Sequence, residues 1–184
     1  MQRQVLGKNI HTLIFRIIQV GKEVKEESMV LFQSNDNNME NFKIDLFIGE
    51  YGIDFPKYSH LSDNDCLDMI NNLSNKFNMD FLSNEIAYDL TQRQLFLESI
   101  DAKNDFKLLE TLKYMNVNPT LNIYINWYQF KDMDLIKTVD LDKYFYDILW
   151  FSSADDIDIF DENLNWIISI RHDGVVSYLS DFIP

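Results

Sequence analysis

The chain has 184 residues, enough for one domain with a sizeable core, and its 46% hydrophobic content is too high for a disordered chain. A net charge of −14 argues against a broad basic face for direct nucleic-acid binding and suits a cationic partner, although acidity also serves solubility. The lone Cys66 excludes an intramolecular disulfide, and no stretch approaches the roughly 20 apolar residues that span a membrane. Arg16 and Gln19 interrupt the apolar segment at 10–20, so no secretory leader is read there and the expected location is cytoplasmic. The charge is uneven: residues 1–25 carry a net +4 and residues 132–184 a net −9.

In chain order, Ile10, Leu13, Ile14, Ile17 and Ile18 line one face of a helix that Gly21 can end. Residues 29–33 suit a strand. After a polar loop at 34–41, Phe42, Ile44, Leu46 and Ile48 alternate with polar neighbours and predict a second strand that Gly49 and Gly52 end, the two strands forming a hairpin with a long tip.

Ser62 with Asp65 makes a capping signal ahead of Ile70, Leu73 and Phe77 at helical spacing. Thr91 with Gln94 repeats that signal and predicts a helix over 95–100. A third helix from about Asn104 buries Leu108, Leu109, Leu112 and Met115 and stops before Pro119.

Beyond Pro119 the period changes to two. Leu121, Ile123, Ile125 and Trp127 predict the inward face of a strand, with Tyr124 and Tyr128 on its other, partly covered face. Asp140 caps a short helix presenting Leu141, Tyr144, Phe145 and Ile148. The end reads as a meander: a strand at 157–160, a turn at 161–163, a strand with Trp166, Ile168 and Ile170 inward, and a hairpin at Asp173-Gly174 leading into 175–179. Without repeats or Gly/Pro-rich linkers, residues 1–184 read as a single α+β domain, an antiparallel sheet with helices mainly on one face.

Chemical signatures are weak, and no catalytic residue, cofactor or metal is assigned. His172-Asp173 resembles half of a metal-binding pair, but it precedes Gly174 at a turn and only His11 and His60 remain elsewhere. From Asp161, a calcium-loop spacing meets Trp166 where Gly is needed and His172 where Glu is needed. Cys66 sits in the opening turn of a helix, a place that lowers thiol pKa, but a lone cysteine is more simply a small core hydrophobe. No nucleophile elbow and no phosphate-binding glycine loop occurs. The remaining feature is the acidic run Asp155, Asp156, Asp158, Asp161 and Glu162. Strand alternation puts Asp156 and Asp158 on one expected exposed face, beside Tyr124 and Tyr128 if their strands adjoin.

The segment 150–174, WFSSADDIDIFDENLNWIISIRHDG, resembles the C-terminal part of small bacterial proteins, some of which are similar to immunity proteins of polymorphic toxin systems. The likeness covers about 25 residues and carries no catalytic motif. It implies a bacterial origin and an inhibitor-like role. The reading that follows is an acidic inhibitor of a basic partner, such as a nuclease-type toxin with a cationic cleft, docking through Asp155, Asp156, Asp158, Asp161, Glu162, Tyr124 and Tyr128. A nucleic-acid mimic of the phage-decoy type and an enzyme without a recognisable motif are the rival readings.

Overall fold

The computed structural model describes residues 41–104, 106–149 and 156–180. The element order is α1 (Asn41–Tyr51), β1 (Tyr58–His60), α2 (Asp63–Phe77), α3 (Ile86–Arg93), β2 (Leu95–Asp101), α4 (Leu108–Tyr114), β3 (Asn122–Tyr128), β4 (Asp132–Lys137), α5 (Thr138–Lys143), α6 (Phe145–Leu149), β5 (Ile157–Asp161), β6 (Trp166–Ile170) and β7 (Val175–Ser180). The seven strands form one sheet in the order β1-β4-β3-β5-β6-β7-β2, antiparallel throughout. The architecture is α+β, and β5 to β7 make the C-terminal meander that the turn signals predict.

Register fixes which side chains share a face. Ile125, Ile159 and Ile168 stand in one row across β3, β5 and β6. The next row, displaced by one residue and facing the other way, is Met133, Asn126, Asp158, Ser169 and Ser177. The first face buries Ile123, Ile125, Ile159, Trp166, Ile168 and Ile170 under Phe47 of α1, Leu108 and Leu112 of α4, Leu141 of α5, and Phe145 and Ile148 of α6. The second buries Met133, Phe160 and Ile167 under Cys66, Ile70, Leu73 and Phe77 of α2 and Ile86 and Leu90 of α3. Four of the described helices thus serve one face and two the other, so every residue of β5 and β6 is buried.

The helix α2 shows how local chemistry sets an element. Ser62 Oγ accepts from the Asp65 N–H at 3.3 Å while the Asp65 carboxylate accepts from the Ser62 N–H, the reciprocal capping box. Cys66, Ile70, Leu73 and Phe77 then fall on one stripe, and Asn78 ends the helix in the left-handed region at φ 50°.

Several expectations change. Residues 42–48 are helical within α1, so the expected hairpin does not form; its other half, 29–33, lies outside the described residues, as does the helix read at 9–20. The anchor of α1 is Phe47, a residue outside the alternating set, which meets the rings of Tyr144 and Phe55 edge-on at 4.9 and 5.1 Å. Leu46 and Ile48 of the alternating set are 46% and 42% exposed. The Gly52 N–H bonds back to Ile48 O at 2.8 Å, and Gly52, at φ +64°, lets the chain leave the helix.

Residues 95–100 belong to strand β2 instead of a helix. The Thr91 hydroxyl bonds back to Ala87 O inside α3, and Gln94, where the chain turns extended, is committed to a buried network on the sheet. The Asp140 cap is also displaced: α5 starts at Thr138, with Lys137 at the cap position and Asp140 in the first turn. Leu121 precedes β3 and is 73% exposed, so it does not join the inward row.

Candidate functional site

The acidic residues singled out in the sequence do not form one patch. Asp156 is exposed and accepts from the His172 N–H at 2.9 Å, lies 3.0 Å from His172 Nδ1, and pairs with Arg171 Nη1 at 3.3 Å. Partial burial acts to raise its pKa, but the His172 hydrogen bonds and the Arg171 charge prevail and hold it below the usual carboxylate value. Glu162 lies six residues away along β5, about 20 Å in an extended strand. Asp155 lies outside the described residues, and Tyr128 is placed only through its backbone pairing with Asp132.

Asp158 corrects the expectation of an exposed acidic face. It shares strand parity with Asp156, but its side of the sheet lies under α3 and the loop after it, and it is buried. Asp158 Oδ2 accepts from Asn126 Nδ2 at 2.9 Å and Oδ1 accepts from the Ser169 hydroxyl. Gln94 Nε2 donates to Ser169 Oγ at 2.6 Å, and Ser177 Oγ donates to Gln94 Oε1 at 2.8 Å. Burial pushes the Asp158 carboxyl upward against these hydrogen bonds and the nearby Arg171 charge. This chain of donors ending on one carboxylate organises the interior; it offers nothing to a partner.

Asp161 is likewise buried. Its Oδ1 accepts from the Asn165 N–H at 2.6 Å and its Oδ2 from Asn165 Nδ2 at 3.0 Å, closing the turn between β5 and β6.

Tyr124 and Glu162 do meet, at the opposite end of β5 from Asp156. Tyr124 is half-buried and stacks on Phe160 with ring centres 5.2 Å apart. Glu162 is exposed and accepts from the Asn122 N–H and Nδ2, each at 3.3 Å. Burial raises the Tyr124 phenol pKa, and the charges of Glu162 and Asp65 raise it further. Two carboxylates from different elements therefore act on the tyrosine.

Asp65 opens a second half of this site that sequence reasoning missed. Between α2 and the β1–β4–β3 part of the sheet lies an open cavity of about 380 Å³. Leu61, Met69 and Leu135 supply apolar lining, Tyr124 an aromatic surface, and Asp65 and Asp68 carboxylates. Asp65 and Asp68 stand three apart on α2 and so project to the same side. The spacing Asp63, Asp65, Asp68 was visible in the chain, but Asp65 has a sufficient local role as a capping residue. Only the fold brings β3 beneath it.

The other chemical candidates resolve structurally. Cys66 is buried, and burial raises its thiol pKa more than the Met133 backbone hydrogen bond lowers it, the opposite of an activated thiolate. His172 belongs with Asp156, and Asp173 Oδ1 accepts from the Val175 N–H at 3.1 Å in the turn before β7, where Gly174 has φ +93°. Among the described residues no group of three His, Cys, Asp or Glu side chains is placed to hold a metal ion, and no helix is long and apolar enough to cross a membrane.

No protein-family model matches the chain, and neither do the curated proteins or the solved structures compared with it.

Proposed function

We propose that this chain is an immunity-type inhibitor that neutralises a basic bacterial toxin by direct protein–protein binding, and that the recess between α2 and the sheet receives a cationic side chain of that partner. The observation that carries the reading is an open recess lined by Asp65, Asp68 and Tyr124, with the Glu162 charge also acting on Tyr124, on a chain of net charge −14. An arginine or lysine entering there meets carboxylates at its charged end and an aromatic surface along its stem. Aromatic and charged groups beside a small apolar centre are the composition of an interface hot spot. The wider negative field speeds encounter with a cationic surface such as a nuclease cleft and repels nucleic acid itself. The resemblance of segment 150–174 to immunity-like proteins points the same way.

This reading moves the docking site from the start of β5 to its end. Asp156 is already paired with Arg171 and His172, and Asp158 and Asp161 are internal. The test is capture of the partner from the native host, followed by an assay of the partner's toxic activity with and without this chain. A basic partner that is neutralised at equimolar ratio, and less well by Asp68→Asn with Glu162→Gln, agrees with the proposal. An acidic partner contradicts it, and so does neutralisation indifferent to both substitutions. Turnover of a small molecule by the chain alone would place it in another class.

A further inference from the structure

A second ionisable group lies at the β1 edge, beside the recess, which His60 also lines. His60 of β1 is in direct register with Asp134 of β4, and its Nδ1 is 3.0 Å from Asp134 Oδ1. The Asp134 side chain has no exposed surface, and its other oxygen accepts from Trp127 Nε1 at 2.8 Å. Asp132, two residues earlier and of the same parity, lies 3.9 Å from the same histidine nitrogen. Its Oδ1 is buried and has no hydrogen-bond partner among the described residues. Lys43 of α1, with its ammonium 4.9 Å from the Trp127 ring centre, is buried nearby and acts on both carboxylates. The other titratable groups facing the cluster are Cys66 of α2, which senses Asp132, and Tyr58 of β1, which senses Asp134.

The charges in this group do not balance. With a neutral imidazole, two carboxylates face one ammonium, and one buried carboxylate oxygen has no hydrogen-bond partner among the described residues; a single added proton brings the group to neutrality. The strand it touches is lightly held. β1 is three residues long, its described ladder is three pairs with β4, and the Leu61 N–H donates to Met133 O at 2.9 Å just beyond them.

We infer that His60, Asp132 and Asp134 form a proton-operated latch, in which uptake of one proton at Asp132 tightens β1 against β4. Burial raises Asp132 from 3.8 to about 6, with His60 and Lys43 opposing the rise and Asp134 adding to it. Burial raises Asp134 as well, against its bonds to Trp127 and His60. A carboxyl that binds its proton more tightly in the closed edge than in the opened one favours closure as pH falls through about 6. Ser59 and Leu61 line the recess, so the latch sets one wall of it. The inference holds whatever the recess binds.

The measurement is hydrogen exchange of the Leu61 amide in the full chain, corrected for the intrinsic exchange rate, at pH 7.5 and pH 5.0. Peeling of β1 exposes Asp132 to water, so protection at Leu61 is expected to be about tenfold greater at the lower pH. In Asp132→Asn, a neutral stand-in for the protonated acid, protection is expected to be high already at pH 7.5 and the pH dependence gone. In His60→Gln, protection at pH 5.0 is expected to fall below that of the unaltered chain. Equal protection at both pH values would overturn the latch, as would an undiminished pH dependence in Asp132→Asn.

Discussion

Asp158 is a buried carboxyl group held in a row of polar residues that crosses the second face of the sheet. Its neighbours in register, Asn126 and Ser169, both donate to it, and Ser169 in turn accepts from Gln94. Truncation removes the acceptor and leaves two buried donors unmatched. Asp158→Ala is therefore expected to destabilise by about 3–5 kcal/mol, the range for breaking a buried polar group. Asp158→Asn should lose less, because its amide oxygen still accepts from Ser169 while its NH₂ opposes that of Asn126. Chemical denaturation of both variants checks the order, and an alanine variant as stable as the parent would contradict the network. Asp132 gives the opposite kind of test. Its pKa is raised in the folded chain to about 6, so the folded state holds the extra proton between roughly pH 4 and 6. The penalty of its charge is absent below that window and complete above it. Asp132→Asn should accordingly raise the melting temperature by a few degrees at pH 7.5 and by clearly less at pH 4.5. A thermal-melt series in pH reads this directly, and a variant destabilised at pH 7.5 would contradict it.

At the scale of elements, legibility followed how far an element's logic is local. The Ser62–Asp65 box and the hairpin at Gly174 carry their own geometry, and both stand where the residues place them. The strands at Ile123–Ile125 and Trp166–Ile170 were readable because alternation and β-branched residues agree there. Residues 42–48 alternate equally well, yet fold as helix because Phe47 finds Tyr144 and Phe55, residues a local pattern cannot see. Strand β2 pairs with β7 at Leu95, Phe96 and Asp101, about 80 positions further along, and that partner overrides the helical reading of 95–100. The strand assignments imply energies. Ile125 and Ile168 are wholly buried on either side of Ile159 in one core, and either changed to Ala should destabilise by about 2–5 kcal/mol. Ser62→Ala, which removes one half of the capping box, should lose about 1 kcal/mol. Equilibrium unfolding of the three variants tests the ranking, and an Ile168→Ala effect below that of Ser62→Ala would contradict the core assignment.

At the scale of the whole molecule, covering both faces of the sheet decides which acids a partner can reach. From the sequence, Asp156, Asp158 and Asp161 read as one acidic strand edge, because alternation says which side chains share a face and not whether a helix lies over it. Helices α2 and α3 bury the second face, and the turn at Asn165 consumes Asp161. Tyr124 and Glu162 were legible as candidates; Asp65 and Asp68 were not, since they approach β3 only after some 60 intervening residues have folded. The claim that joins these scales is that the recess, with Asp68 and Glu162 beside Tyr124, receives a cationic partner. Its most direct test is the association rate with the captured partner at low and high salt, for the parent chain, for Asp68→Asn with Glu162→Gln, and for Asp156→Asn. The parent rate is expected to fall by about tenfold or more as salt screens the field, the double variant to associate more slowly at low salt with a shallower salt dependence, and Asp156→Asn to stay close to the parent. A rate insensitive to salt, or a larger loss in Asp156→Asn than in the double variant, would contradict this account.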